Sequence, residues 1–307
     1  MKALVTGGAG FIGSHLVDFL LSKGCEVVVI DSLATGRRSQ VPQEAVFIQG
    51  DVGDPQLLAK ALPGCDVVFH LAAVSSVQDS LDWPIEVRDT NLTATLGLLE
   101  ASVRHKVPRF VFSSSAAVYG DTGGEPARED MIPKPMSHYA VQKLASEHYC
   151  KIYHRLHGLE TFFLRYFNVY CPLQRADSPY SGVIAKFIGA ARAGQPITIF
   201  GDGEQTRDFC HVKDVASANY LAAKSPGAAV AGGTFNLGTE KSISVNDLAE
   251  IVSAAFGAPE QQPTHGLPRA AEIRHSRADI CKSLQALAWQ PVVSLDEHSI
   301  ARCGEGL

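Results

Sequence analysis

The sequence contains no long apolar run and no excess of basic charge. Its 307 residues have a formal net charge of −5, which does not favour binding to nucleic acid. Apolar runs such as those at 3–6 and 27–30 are far too short to span a bilayer. Strand-like sequence starts at once and leaves no room for a signal peptide. We therefore expect a cytoplasmic protein that binds neither nucleic acid nor membrane.

Metal-ligand spacing is also missing. The seven cysteines form no Cys-x-x-Cys pair and have no histidine cluster beside them. Their odd number and scatter predict reduced thiols, with neither a disulfide framework nor a metal site. They are Cys25, Cys65, Cys150, Cys171, Cys210, Cys281 and Cys303.

What the first half does contain is a regular alternation of short β-branched runs with amphipathic stretches. This alternation predicts a parallel sheet with helices on both faces, a Rossmann-type doubly wound α/β fold. The predicted strands are Lys2–Thr6, Glu26–Asp31, Val46–Gln49, Asp66–Leu71, Arg109–Ser113 and Thr161–Asn168. The predicted helices between them are Ser14–Lys23, Pro55–Ala61 and Asn91–His105.

After about residue 170 the composition changes: Pro, Gly and Gln become frequent, and the predicted strands become shorter. Helices are predicted over Val183–Ala193 and Val245–Ala255, and a loop over Gly257–Arg269. We expect a dinucleotide-binding domain over 1–170 and a smaller C-terminal lobe over 171–307, some segments of which return to the first domain.

A glycine-rich turn joins the first strand to the first helix at 6–13. Glycines at Gly7, Gly10 and Gly13 permit a tight turn, close approach of a pyrophosphate and packing of helix on strand. The helix N-terminus favours the phosphate charge. Asp31, at the end of the second strand, can accept both hydroxyls of an adenosine ribose. Arg37 and Arg38 could serve NADP, but this carboxylate favours NAD.

Three polar residues form a candidate catalytic set. Tyr139 and Lys143 are four residues apart, the spacing that places two side chains on one helical face. A neighbouring ammonium and an oxidised nicotinamide would lower the pKa of the tyrosine and make it a usable base. Ser115 follows a strand that ends at the carboxyl edge of the sheet, where ligands bind in such folds.

In these motifs the chain resembles the extended short-chain dehydrogenase/reductase family. The resemblance covers nearly the whole chain and is closest to the UDP-glucose/UDP-galactose 4-epimerases and their nucleotide-sugar dehydratase relatives. It implies that Lys143 also holds the nicotinamide ribose and that residues 166–168 bridge cofactor and substrate. It implies NAD-binding residues Gly7, Gly10, Phe11, Ile12, Gly13, Asp31, Asp51, Val52, Leu71, Ala72, Ala73, Asn91, Tyr139, Lys143 and Tyr166.

The resemblance continues in the second half. The segment 201–212 is similar to the family's nucleotide-binding segment. Arginine suits a diphosphate because its planar fork binds phosphate oxygens in pairs. Ser276 stands where the family limits the room beside the sugar C2 substituent, so a small residue implies acceptance of a UDP-N-acetylhexosamine. The implied substrate-binding residues are Ser115, Asn168, Arg207, Arg269, Glu272 and Ser276.

The implied reaction begins when Tyr139 takes the proton of the sugar 4-hydroxyl and C4 gives its hydride to NAD. An epimerase returns the hydride to the other face of the 4-keto sugar, and a dehydratase first expels water. The 4,6-dehydratases place an Asp-Glu pair where this chain has Ala116 and Ala117, which disfavours that version. No step requires a metal, and the resemblance also implies a homodimer through the helices at 91–105 and around Tyr139.

Two departures from the family pattern keep a second reading open. Cys171 and Leu173 replace residues of the usual Tyr-Gly-Pro-Arg segment, and Gln142 replaces a small hydroxyl residue before the catalytic lysine. Cys171 is either a buried spectator or an acid or base with an adjusted pKa. A UDP-hexosamine dehydratase, such as the 5,6-dehydratase of tunicamycin-type pathways, is therefore the alternative. An NAD-sensing scaffold is the non-enzymatic one.

Overall fold

A seven-stranded parallel sheet forms the centre of the protein. The computed structural model describes residues 1–170, 182–257, 262–268 and 273–305. The strand order β10-β6-β5-β4-β1-β2-β3 reverses direction between β4 and β1, which creates a switch point for ligands. The seven strands are β1 (Lys2–Thr6), β2 (Glu26–Asp31), β3 (Val46–Gln49), β4 (Val67–His70), β5 (Arg109–Ser115), β6 (Glu160–Tyr166) and β10 (Gly233–Leu237).

The sheet is apolar on both faces. Along β1, Ala3 and Val5 belong to one buried cluster and Leu4 to the other, because successive side chains of a strand point to opposite faces. Helices therefore cover both faces. On one side lie α1 (Phe11–Ser22), α8 (Val212–Lys224) and α11 (Cys281–Leu287), and on the other α2 (Pro55–Ala61), α5 (Ala94–Arg104) and α6 (His138–His157).

The remaining elements are shorter or belong to the second half. A π-helical turn at Asp89–Thr93 leads into α5, and 3₁₀ turns occupy Arg38–Gln40 and Ala116–Tyr119. The other helices are α3 (Val77–Asp82), α4 (Pro84–Arg88), α7 (Val183–Arg192), α9 (Gly227–Val230), α10 (Val245–Ala255) and α12 (Glu297–Glu305). The other strands are β7 (Asn168–Tyr170), β8 (Thr198–Phe200), β9 (Thr206–His211), β11 (Ser242–Ser244) and β12 (Thr264–Gly266).

Two of the predicted segments are wrong in detail. The stretch Thr161–Asn168 is not one strand, because the chain leaves the main sheet at Phe167 and re-enters extended structure in β7, which pairs with β9. Gly257–Arg269 is not entirely loop, since β12 pairs with β8 within it. The doubly wound parallel architecture itself is confirmed.

The two halves of the sequence share the main sheet. Strand β10 comes from the second half and pairs in parallel with β6. A boundary at residue 170 stays a prediction. Within the described residues no helix is long and apolar enough to cross a membrane.

The prediction of reduced thiols holds for most of the described cysteines. It is wrong for Cys303, which takes part in a disulfide bond. The free thiols are Cys25, Cys65, Cys150, Cys210 and Cys281.

Candidate active site

The candidate catalytic and cofactor residues meet at the carboxyl edge of the main sheet. Thr6 and His70 are partners across β1 and β4, and Ser115 and Tyr166 are partners across β5 and β6. Parallel strands place their carboxyl ends at the same edge, so residues far apart in sequence come together here. This edge is where a cofactor and a substrate would meet.

Each glycine of the first turn has its own reason to lack a side chain. Gly7 adopts φ +72°, and a Cβ on Gly13 would lie 2.0 Å from the Gly7 carbonyl oxygen. The fold itself therefore requires these two glycines. A Cβ on Gly10 would approach within 4 Å only that same oxygen, at 3.3 Å. The open space beside Gly10, at the N-terminus of α1, fits a pyrophosphate.

Asp31 ends β2 and is buried. Its carboxylate accepts hydrogen bonds from the backbone N–H of Ala9 at 2.9 Å and of Leu33 at 2.8 Å. These bonds fix the glycine turn and leave acceptor capacity for ribose hydroxyls, since an ionised carboxylate has about four lone-pair sites. Arg38 donates to the carbonyl of Val41 at 2.7 Å and stacks on Phe47, so it is already engaged in local contacts.

Tyr139 lies at the start of α6 with its side chain buried. Ser137 caps the helix, since its hydroxyl accepts the N–H of Ala140, and the buried Ser80 accepts the N–H of Tyr139 at 3.1 Å. In the chain by itself, burial raises the pKa of Tyr139, and hydrogen bonding to Ser115 opposes that rise. The predicted lowering by Lys143 is therefore not present in the protein chain alone.

Lys143 is buried one turn after Tyr139. Its Nζ donates to the carbonyl of Ser113 at 2.8 Å and lies 5.9 Å from the centre of the Tyr139 ring. Burial lowers the pKa of Lys143 to about 8, and the nearby Glu147 carboxylate opposes the shift. An ammonium has three protons, so two remain for other acceptors besides the Ser113 carbonyl.

A buried ion pair lies behind this set. Arg165 donates to both carboxylate oxygens of Glu147, at 2.9 and 2.7 Å, and Ser114 donates to the same carboxylate at 2.5 Å. The guanidinium also stacks on Tyr119. Glu147 lies on α6, Arg165 on β6 and Ser114 on β5. These bonds therefore join the helix that carries Tyr139 to the strand that carries Ser115. Sequence reasoning missed it.

Several predicted cofactor residues have partners within the protein. The amide of Asn91 bonds to both backbone groups of Val74, and Tyr166 bonds to Ser113 and Asn219. These side chains thus organise the edge, and their contacts with NAD stay predictions. The others line the glycine turn or follow β3 and β4 at the same edge, and they are Phe11, Ile12, Asp51, Val52, Leu71, Ala72 and Ala73.

The predicted substrate residues within the described structure gather around β9. Asn168 donates to the carbonyl of Asp208 at 3.2 Å, Arg207 lies on β9, and Ser276 binds the carbonyl of Thr206 at 3.1 Å. Asn168 lies close to the end of β6, because only Phe167 separates β6 from β7. Arg269, Glu272 and Cys171 lie outside the described residues, so their roles stay predictions.

The described residues also contain one group with metal-ligand geometry, formed by Glu240, Asp279 and Cys281. Its members are partly or fully exposed, and none of them belongs to the candidate site. The prediction that catalysis uses no metal remains a prediction.

Fold and site together define a class: a Rossmann-type protein with a candidate Ser/Tyr/Lys catalytic set beside a glycine-rich turn of the dinucleotide-binding kind. The model of the NAD dependent epimerase/dehydratase family matches residues 3–238. The chain belongs to that family, and its cofactor is NAD.

Similar proteins of known name act on nucleotide sugars. The UDP-glucose 4-epimerase of Mycolicibacterium smegmatis is 39% identical over 97% of this chain and 96% of its own. A UDP-N-acetyl-alpha-D-glucosaminuronate decarboxylase of Bacillus cytotoxicus is 33% identical, over 96% of this chain and 94% of its own. The range of reactions is thus wider than epimerisation.

Solved structures agree in fold along nearly the whole chain. A Thermotoga maritima UDP-glucose 4-epimerase with UDP-glucose has TM-score 0.94 and 37% identity, covering 99% of this chain and 98% of that one. A Methanobrevibacter ruminantium UDP-N-acetylglucosamine 4-epimerase has TM-score 0.93 and 38% identity, with 99% and 97% covered. A Streptomyces venezuelae dTDP-glucose 4,6-dehydratase has TM-score 0.91 and 30% identity, with 99% and 96% covered.

Proposed function

We propose that this protein is a UDP-hexose 4-epimerase that accepts both UDP-N-acetylglucosamine and UDP-glucose. The observation that carries the proposal is the juxtaposition of Ser115, Tyr139 and Lys143 at the carboxyl edge, beside the uncharged Ala116 and Ala117. A base and its supporting cation stand together there, whereas the acid that would drive elimination of the C6 hydroxyl is not at those two positions.

Tyr139 takes the proton of the sugar 4-hydroxyl, and the hydroxyl of Ser115 holds the oxygen from which it comes. Lys143 supplies a positive charge that favours the phenolate. NAD held beside the glycine turn would supply a reversible hydride acceptor for C4. Rotation of the 4-keto sugar would present its other face before the hydride returns, and Tyr139 gives its proton back to the C4 oxygen.

We assign the acceptance of both sugars to Ser276. Its hydroxymethyl side chain is small and only partly buried, and its backbone is held to Thr206 next to Arg207. An N-acetyl group beside the sugar C2 needs space that a large aromatic side chain would fill. Arg207 is proposed to bind the diphosphate of the same substrate.

A UDP-hexosamine dehydratase is the second candidate, because the similar solved structures include a dehydratase. The departure at Cys171 lies outside the described residues. The other departure that favoured a dehydratase has a structural explanation. Gln142 is buried, and its amide oxygen accepts a hydrogen bond from Asn91 at 3.0 Å. It therefore has a partner inside the fold and needs no role in water elimination.

Incubation with UDP-N-acetylglucosamine, and separately with UDP-glucose, in deuterated water tests the proposal. An unlabelled C4 epimer from each substrate is expected. Deuterium at C5, or a product lighter by one water, would establish a dehydratase instead. No product and no isotope exchange with either sugar would indicate a non-enzymatic, NAD-sensing scaffold protein.

We also propose a homodimer that uses α6. Four large apolar side chains of this helix are exposed although the opposite face is buried, and their spacing places them on one outward stripe. They are Val141, Tyr149, Ile152 and Leu156. A second copy would cover them, so Leu156→Asp should convert a dimer into monomers in sedimentation velocity. A wild-type protein that sediments as a monomer would refute the dimer.

A further inference from the structure

A continuous row of buried polar side chains runs beneath the carboxyl edge, from the glycine turn to the catalytic helix. Thr6 Oγ1 meets His70 Nδ1 at 2.8 Å, and His70 Nε2 meets Thr95 Oγ1 at 2.8 Å. Thr95 donates to the carbonyl of Asn91 at 2.8 Å, and Asn91 Nδ2 donates to Gln142 Oε1 at 3.0 Å. All five residues are buried. We call this set the polar row.

The number of available protons fixes the direction of these bonds. Thr95 gives its hydroxyl proton to Asn91, so it must accept from His70 Nε2. His70 Nδ1 must then accept from Thr6, which in turn accepts the N–H of Ala72 at 3.3 Å. Burial lowers the pKa of His70 to about 3, in keeping with this neutral, Nε2-protonated form. The polar row therefore has one consistent arrangement.

Asn91 is the branch point of the polar row. Its Oδ1 accepts the N–H of Val74 at 2.8 Å, and its Nδ2 donates to the carbonyl of Val74 at 3.0 Å. The second Nδ2 proton goes to Gln142, so the amide is completely used. Val74 directly follows the segment 71–73, which is predicted to line the dinucleotide. Gln142 is thus the side chain by which α6 is tied to that segment.

Directional bonds matter at this position because apolar packing alone fixes a helix only loosely about its axis. Tyr139, Gln142, Lys143 and Ser146 share the buried face of α6. Ser146 adds a longer bond to the carbonyl of Asn91 at 3.3 Å. A rotation of α6 that moved Gln142 away from Asn91 would move Tyr139 and Lys143 by a comparable distance.

We propose that Gln142 is a positioning residue, which sets the rotation of the catalytic helix relative to residues 71–74 and so aims the Tyr139 hydroxyl at the reacting carbon. The inference rests on the proposed function of Tyr139. It gives the glutamine before the catalytic lysine a task in this chain that a small hydroxyl side chain is too short to perform in the same way.

Gln142→Met is the decisive variant, because methionine has nearly the same length but offers only a weak acceptor. Its kcat is expected to fall about 10- to 100-fold, the order of effect that a misplacement near 1 Å produces. The KM for the sugar and the NAD content should stay as in the wild type. Gln142→Glu keeps an oxygen acceptor and should retain more of the activity.

Ser102→Ala is the matched control, since it removes a buried hydrogen bond to Leu98 on α5 outside the polar row. Its kcat should be unchanged even if its melting temperature falls. If Gln142→Met lowers the melting temperature and leaves kcat intact, the residue is only structural and the proposal is overturned. A rise in KM or loss of NAD at unchanged kcat would overturn it too.

A second measurement needs no sugar. The Tyr139 phenolate can be titrated by ultraviolet absorbance in the NAD-bound protein, with Tyr139→Phe as the blank. Gln142→Met should shift that titration to higher pH, because a displaced phenol oxygen loses the hydrogen bond to Ser115 that lowers the pKa of Tyr139. If wild-type protein converts no UDP-sugar, the proposed function fails. The titration still decides the role of Gln142, and an unshifted curve would refute it.

Discussion

The catalytic edge and the region around β9 hold their polar groups in different ways. At the catalytic edge, the Arg165–Glu147 side chains are 3% and 0% exposed and meet in a two-bond geometry. Beside β9, the Arg274–Asp202 side chains make a similar pair but are 47% and 57% exposed. The first of these ion pairs is enclosed in the protein, and the second is in contact with solvent.

This difference has a functional meaning. Residues that move a proton must stay fixed relative to NAD, and buried, mutually bonded side chains provide that order before the substrate arrives. Residues that choose among sugars need space and some freedom, which partly exposed side chains retain. We therefore expect changes at the catalytic edge to affect rate or stability, and changes around β9 to affect substrate choice.

The largest effect is expected from Tyr139→Phe, which removes the base. The value of kcat should fall about 10³-fold, within the range attributed to positioned acid–base groups, while NAD remains bound. Tyr153→Phe, on the same helix but outside the site, should retain full activity. Product formation from UDP-glucose measures both. Full turnover by Tyr139→Phe would show that Tyr139 is not the catalytic base.

Breaking each of the two ion pairs should give the next largest difference between the two regions, in the free energy of unfolding. Glu147→Gln leaves the buried guanidinium of Arg165 without its counter-charge and should cost about 3–5 kcal/mol of unfolding free energy. Asp202→Asn should leave stability unchanged within error, because solvent screens its partner. Urea denaturation compares them. Equal losses in the two variants would show that burial does not distinguish the regions.

Acid should destabilise the catalytic edge through His70. Burial lowers its pKa from 6.5 to about 3, so between these values the unfolded chain binds a proton that the folded chain does not. The unfolding free energy should therefore fall as the pH falls through this window, by about 1.4 kcal/mol per pH unit from this group. His70→Asn should reduce that slope in denaturation curves measured at several pH values.

His211, at the end of β9, offers the comparison for the other region. Burial lowers its pKa to about 4, so its contribution should be present at pH 7 and lost over a narrower acidic window. His211→Asn should therefore flatten the pH dependence less than His70→Asn does. The reverse order would contradict the larger fall in the pKa of His70.

A smaller effect is expected at Ser276, and it should concern selectivity. Ser276→Tyr places a large ring beside the proposed sugar site and should lower kcat/KM for UDP-N-acetylglucosamine about tenfold relative to UDP-glucose, in the range of single steric contacts. Paired assays with both sugars measure the ratio. Equal losses for both substrates would show that residue 276 does not set the choice.

The first half of the fold could be predicted closely from the sequence because its signals are local. The strands Lys2–Thr6 and Glu26–Asp31 have the expected bounds, since apolar runs ending at turn residues leave little choice of register. The break at Phe167 could not be predicted. Its cause is the pairing of β7 with β9, some forty residues later in the chain.

The candidate site divides in the same way. Spacing predicts the pair Tyr139 and Lys143, and the end of a strand predicts Ser115. The structure brings the three together. The partners of Asn91 and Gln142 were beyond reach, because a hydrogen bond between residues 51 positions apart leaves no pattern in one sequence. The sequence shows that Gln142 departs from the family pattern, but only the fold shows that its side chain bonds to Asn91.

The placement of β10 has a consequence for how the protein is made. Strand β6, with its buried Phe162, Phe163 and Leu164, stays an uncovered edge until residues 233–237 have been synthesised and can pair with it. A nascent chain that stops before that point leaves an apolar strand edge exposed, which favours aggregation. Completion of the nucleotide-binding sheet on the ribosome therefore waits for a segment encoded far into the second half.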